Sequence, residues 1–280
     1  MIDGINCRVV GDSYKNIVNN NQLLFKESYN QYQAVYKGLR IIIYKESMIC
    51  YLRGSIHLYK NNNSHNADLF TYQDFLSSIN KLKSELHINI RDLQIMRLEI
   101  GINLPLTYPP ERYLNTISEI QNVMPTKKRK SLTVEYTQYK IKVYSKSHQY
   151  REFKDLNILR IEIAYLKKQK LTQDLGELFM FDDLLDYSIW KKITKVLMTL
   201  VRKFVFFDFS EITTNDLTID EALTFYEWSN AVRIAQEPDR SKVSRKRKKV
   251  NEIYHKYAEN RKAKELIELM NEKLEESLNF

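Results

Sequence analysis

The sequence predicts an α+β protein: a mostly antiparallel sheet with helices packed on one face, ending in a C-terminal helical region. Three observations carry this. Two near-identical stretches, 95–100 (Ile-Met-Arg-Leu-Glu-Ile) and 158–163 (Ile-Leu-Arg-Ile-Glu-Ile), alternate apolar with charged residues, the period-2 pattern of a half-buried strand. After about residue 185 the apolar period becomes helical. Glycine (6) and proline (5) are sparse in 280 residues, so turns must lean on asparagine, as at 19–21 and 61–63.

Taken in order, Ala34-Val35-Tyr36, Leu39 to Tyr44 and Met48 to Tyr59 are β-branched and aromatic runs of strand length. The last would put Arg53, Ser55, His57 and Tyr59 on one face. Thr71 and Asp74 make a capping pair for a helix with Phe75, Ile79, Leu82 and Leu86 on one stripe. The first Arg-x-Glu strand follows, to about Leu104. Pro109-Pro110 open a helix through Val123 with Tyr113, Ile117 and Ile120 inward. A basic loop, Lys127 to Lys130, leads into a hairpin of Leu132 to Tyr136 and Tyr139 to Lys146, with Lys140, Lys142, Tyr144 and Lys146 on one face. The second Arg-x-Glu strand runs from Ile158 to about Tyr165.

Leu185, Ile189, Ile193, Leu197, Leu200 and Phe204 make a long amphipathic helix, and the chain from Glu211 reads as further helix. The final helix carries Leu266, Met270 and Leu274 on one side, a stripe able to pair with a second copy as a homodimer or to dock on its own domain. The order of segments (strands, helix, Arg-x-Glu strand, helix, then again) suggests an internal pseudo-duplication. The expected division is 1–210 as the chemical domain and 211–280 as a basic helical region.

A net charge of +9 and a pI near 9.2 favour a polyanionic partner. Cys7 and Cys50 are too few for a disulfide framework, and no Cys/His spacing fits zinc. The start lacks a basic region followed by an apolar core, and 196–207, the most apolar late stretch, is broken by Arg202 and Lys203. A soluble, cytoplasmic protein with no membrane partner is expected.

If the polar strand faces coincide, His57, Glu99, Tyr144, Lys146 and Glu162 form a phosphodiester site. Glu99 and Glu162, with His57, are hard ligands suited to Mg²⁺ or Mn²⁺. Tyrosine is a fitting nucleophile when product must stay attached, since a phosphotyrosine ester conserves the bond for religation. Lys146 supplies a cation, and Arg97, Arg160, Lys140 and Lys142 would position phosphates. Lys128 and Arg129, with Arg245, Arg247 and Lys248 in the basic run 240–249, would add salt-dependent affinity for the backbone. The plain alternative reads Glu99 and Glu162 as cross-strand partners of Arg97 and Arg160, and Tyr144 as packing.

The order of segments resembles the gene II replication protein of filamentous phages and related plasmid rolling-circle initiators. Arg53-Gly54-Ser55 leads through His65-Asn66 to the helix after Thr71; Arg97-Leu98-Glu99, Tyr144-Ser145-Lys146 and Arg160-Ile161-Glu162 follow, and Met1-Ile2-Asp3 is similar to the family's opening. The resemblance covers roughly 1–210. It implies that Tyr144 nicks origin DNA and keeps the 5′-phosphate, that Glu99 and Glu162 serve metal or phosphate, and that the substrate is a single-stranded, hairpin or supercoiled origin. The chain departs from the family in Ser145, where many relatives have Asp, in Glu99 where others have Asp, and in lacking a His-apolar-His pair. Two other functions fit the same residues: a metal-dependent nuclease using water without an adduct, and a non-enzymatic DNA-binding regulator.

Overall fold

The computed structural model describes residues 1–150, 153, 156–212, 216–229 and 231–278. Its strands are β1 (Ile2–Val9), β2 (Lys26–Glu27), β3 (Gln31–Tyr36), β4 (Leu39–Tyr44), β5 (Ile49–Ser55), β6 (Leu93–Leu106), β7 (Ile117–Ile120), β8 (Thr126–Lys128), β9 (Ser131–Glu135), β10 (Tyr139–Ser145), β11 (Asn157–Tyr165) and β12 (Phe204–Phe206). The helices are α1 (Ser13–Val18), α2 (Ile56–Lys60), α3 (Tyr72–Leu86), α4 (Glu111–Thr116), α5 (Lys168–Leu175), α6 (Tyr187–Val201), α7 (Ile219–Trp228), α8 (Ala231–Gln236), α9 (Arg240–Tyr257) and α10 (Arg261–Leu278). The expected α+β class holds.

Ten strands form one sheet, ordered β2-β3-β4-β5-β1-β6-β11-β10-β9-β8, with every pair antiparallel; β7 and β12 form a separate ribbon. From the centre outward the two halves repeat: β1, β5, β4, β3, β2 on one side and β6, β11, β10, β9, β8 on the other. The duplication therefore exists, but in a different phase from the expectation. The two Arg-x-Glu strands are neighbours, β6 and β11, and hold different positions in the repeat.

One sheet face is covered. Phe75, Ile79, Leu82 and Leu86 of α3 join Ile189, Ile193 and Leu197 of α6 over Leu98, Ile100 and Ile161. The Thr71–Asp74 capping box is present and starts α3 where the sequence places it. α10 buries Leu266, Met270 and Leu274 in this same core, so its apolar stripe faces the domain and is not open to a second copy. α7 and α9 build a smaller cluster around Phe225, Trp228, Val250 and Tyr254. Residues 213–215, 230 and 279–280 of the expected helical region lie outside the described residues.

One strand is unforeseen and three expectations are corrected. No element is expected over 2–9, yet β1 is a central strand. The helix from Pro110 ends at Thr116, because Ile117 and Ile120 pair with Phe206 and Phe204 instead. The same ribbon ends α6 at Val201, short of the expected Phe204. Finally, the strand carrying Arg53 stops at Ser55. Gly54 has φ +146°, and a Cβ there would lie 2.6 Å from the Gly38 carbonyl oxygen, so a side chain is excluded. The Ser55 hydroxyl then caps α2 by accepting from Leu58 N at 3.0 Å. His57 thus rides on a helical turn and not on the polar face of a strand.

Candidate active site

The face opposite the helices is open and carries a groove of ≈ 860 Å³ across β10, β11, β6, β1 and β5. Register explains which side chains meet in it. Glu162 lies opposite Lys142, and Arg160 opposite Tyr144, across β10–β11. Across β11–β6, Glu162 faces Gly101 and Glu99 faces Ala164, which sets the two carboxylates diagonally on one face. Two glycines make room. A Cβ on Gly101 would sit 3.2 Å from Arg160 Nη2 and 2.7 Å from the Ile161 carbonyl oxygen; one on Gly4 would collide with the Glu99 carboxylate.

Arg160 is the hub. It is buried and donates to Asp3 Oδ2 (2.6 Å), Asn103 Oδ1 (2.8 Å) and Glu162 Oε2 (3.1 Å). Burial pushes the Asp3 carboxyl up, but Arg160, helped by Ser55, outweighs it and holds Asp3 at about 2. Burial likewise opposes ionisation of Glu162, and Arg160 with Lys142 overturns it, leaving its pKa below the ordinary value. Lys142 Nζ donates to Glu162 Oε1 at 2.8 Å, and the Tyr144 hydroxyl donates to Glu162 Oε2 at 3.2 Å. Burial first, then the charge of Glu162, raises the Tyr144 phenol well above its usual range, against the pull of Arg160. Lys146 is buried between the rings of Tyr144 and Tyr150, and desolvation followed by Arg160 lowers its ammonium to about 8.

Glu99 differs from the other two acids. It has no hydrogen-bond or ion-pair partner among the described residues, and burial, then the neighbouring Glu162, raises its pKa. Among those residues no three His, Cys, Asp or Glu side chains are grouped to hold a metal ion. The donor set still fits Mg²⁺ or Mn²⁺ in one way: such ions often take only one or two carboxylates and complete their shell with water and substrate phosphate. Glu99 is open to that role, with Glu162 beside it.

Of the residues singled out from sequence, Tyr144, Lys146, Glu99, Glu162, Arg97, Lys142, Lys128 and Arg129 all line the groove, and Arg160 lies under its floor. His57 does not. Its Nε2 bonds Asp68 at 2.5 Å and its ring stacks on Phe70, in a small cavity with Asn103; burial lowers its pKa despite Asp68. Lys140 pairs with Glu135 at 2.7 Å beyond the groove. Arg247 is tied to the buried Glu119 of β7, anchoring α9, while Arg245 and Lys248 are exposed on that helix. Sequence reasoning missed Asp3, Asn66 and Asn103. Asn66 joins the hub to Tyr150, donating to Asp3 (3.1 Å) and accepting from the Tyr150 hydroxyl (2.8 Å). The pairing of β1 and β6 brings in Asp3 and Asn103, and Asn66 enters from the loop between α2 and α3; an acid beside glycine in an apolar opening was the visible signal for Asp3.

No protein-family model matches the chain, and no curated protein matches it. Among solved structures, a rolling circle replication initiator protein from Geobacillus stearothermophilus is similar at 10% identity and a TM-score of 0.41, over 73% of this chain and 84% of that one. Among the described residues, no helix is long and apolar enough to cross a membrane.

Proposed function

We propose that this protein initiates rolling-circle DNA replication by nicking an origin strand with Tyr144. The observation that supports the reading is one groove in which a phenol, two carboxylates, Lys142 and Lys146 converge on a strongly basic sheet face, with Arg160 beneath bonded to Glu162. In the reaction, Tyr144 Oη bonds to phosphorus as the bond from phosphorus to O3′ breaks. The phenolic proton passes to Glu162 Oε2, the acceptor already in contact, and the Lys146 ammonium protonates the departing 3′ oxygen. The 5′-phosphate stays esterified to Tyr144, and the free 3′-hydroxyl serves as primer or religates by the reverse attack. Arg160 orients Glu162, and Lys142 holds a phosphate oxygen.

Glu99 and Glu162 would hold Mg²⁺ or Mn²⁺ together with substrate phosphate; when bound, the ion would offset charge developing on the phosphate oxygens. His57, committed to Asp68, is left out of that set. The exposed Arg245 and Lys248 extend the basic surface for DNA backbone. The strand must be unpaired to reach Tyr144, so a single-stranded, hairpin or supercoiled origin is the expected substrate.

One observation favours a second reading. The raised pKa of Tyr144 disfavours phenolate, which suits a nuclease that uses water and leaves no adduct. Incubation with Mn²⁺ and DNA labelled at the 3′ or 5′ end, resolved under denaturing conditions, separates the two. An adduct that retains only the 3′ label and vanishes in Tyr144→Phe supports nicking; cleavage without adduct supports hydrolysis. Binding with neither marks a regulator.

A further inference from the structure

The duplicated sheet carries a second, altered copy of the site. β1 contains Gly4-Ile5-Asn6 and β6 contains Gly101-Ile102-Asn103. In both halves the asparagine pairs across the ladder with an arginine on the next strand: Asn6 with Arg53, Asn103 with Arg160. In both, the asparagine Oδ1 accepts from that guanidinium, at 3.1 and 2.8 Å. One strand further out, Arg160 faces Tyr144, and Arg53 faces Arg40. Where Gly101 faces Glu162, Gly4 faces Ser55. Because β1 and β6 are antiparallel neighbours at the centre, the halves are related by a pseudo-twofold normal to the sheet, so both copies share the open face.

The substitutions between the copies have one chemical sense. The amino-terminal half has lost the nucleophile and its carboxylate and gained a cation, Arg40. Arg53 uses only Nε, on Asn6, and its guanidinium lies 4.7 Å from the Tyr51 ring centroid. Arg40, Arg53 and Arg97, which faces Asn6 across β1–β6, have no acidic partner among the described residues. Three guanidiniums without counter-ions, in the groove that holds Tyr144, match the phosphates of a DNA strand.

We propose that this half is a non-cleaving phosphate cradle that holds the single-stranded DNA flanking the nick. The inference rests on the proposed nicking function for its substrate class. Arg53 and Arg160 are three interstrand spacings apart across the sheet, ~14 Å. Arg53 sits at the level of Arg97 and Arg160 at that of Asn103, about six residues or ~20 Å further along β6; the two positions are therefore ~24 Å apart, or about seven phosphates along a stacked strand. A strand seated on Tyr144 therefore reaches the cradle within about eight nucleotides, inside a ~12-mer and beyond a ~3-mer, and the Tyr51 ring offers a base-stacking surface beside it.

The test is fluorescence anisotropy of wild type and Arg40→Gln/Arg53→Gln with labelled single strands of ~3 and ~12 nucleotides across a salt series. Each lost phosphate contact should flatten the log–log salt slope by ~0.7, so the double variant should lose ~1.4 on the longer strand and bind it roughly 10-fold or more weakly, with the shorter strand little affected. Arg40→Gln alone, at an exposed position, should lose about half as much and guards against misfolding. An unchanged slope for both variants on the longer strand overturns the cradle. The two claims fail separately: an adduct at Tyr144 with unchanged slopes removes only the cradle, whereas reduced slopes in a protein that forms no adduct keep the cradle and remove nicking.

Discussion

Replacing Arg160 by Met should be among the most damaging single changes in the chain. Arg160 is 2% exposed and neutralises two acids that are themselves buried, Asp3 at 6% and Glu162 at 3%. Its three hydrogen bonds to Asp3, Asn103 and Glu162 would all be lost. Breaking a buried ion pair by removing one partner costs ~3–5 kcal/mol, since the abandoned charge stays desolvated. At ~2–4 °C per kcal/mol for a chain of this size, the melting temperature should fall by about 6–20 °C. The pH dependence gives a second reading. In wild type Asp3 is held at about 2, below its ordinary value; its contribution is present above that ordinary value and lost only as pH falls towards 2, so this term is flat between pH 5 and 8. Without Arg160, burial dominates and raises the Asp3 and Glu162 pKa values, so the variant recovers part of its deficit as pH falls from 8 to 5. Calorimetry at both pH values checks this. A deficit below ~1 kcal/mol, or one equal at pH 5 and 8, refutes the hub.

Three further outcomes follow from the same geometry. Lys146 sits at about 8, below the ordinary lysine value, so its charge is lost as pH rises through 8. Cleavage should decline on that limb, and Lys146→Gln should both remove the inflection and slow cleavage ~10²-fold or more. Glu99→Gln should raise the melting temperature by ~2–4 °C at pH 8, because it removes a carboxylate that burial and Glu162 disfavour; the raised pKa means wild type closes this gap as pH falls. Finally, Mn²⁺ should stabilise wild type in a thermal melt and leave Glu99→Gln unmoved, a readout independent of cleavage.

Where the sequence was legible, the reason was local. Period-2 alternation located β6, β9, β10 and β11, and the Thr71–Asp74 pair located the start of α3, because each signal is contained in a few consecutive residues. The convergence of Glu99, Glu162, Lys142 and Tyr144 followed from alternation alone once the strands were adjacent. What escaped depends on partners far along the chain. β1 mixes Asp3, Asn6 and Arg8 with apolar residues and is central only because β5 and β6 close on it, so the acid beside Gly4 becomes a hub only once those strands pair. Ile117 and Ile120 suit a helix face as well as a strand, and the ribbon with Phe204 and Phe206 decides for the strand. His57 was misplaced because Gly54 reads as a small strand residue, whereas its positive φ takes the chain out of the sheet. The phase of the duplication was hidden for a related reason: the matching arginines Arg53 and Arg160 are followed by different residues, and the Arg-x-Glu likeness of β6 and β11 is a resemblance between neighbours.

The central claim is a covalent bond at one phenol. Wild-type protein incubated with Mn²⁺ and single-stranded DNA, digested with trypsin and nuclease and analysed by tandem mass spectrometry, should yield a nucleotide joined through its 5′-phosphate to the peptide containing Tyr144. The same modification on Tyr150, or cleaved DNA with no modified peptide, would contradict it.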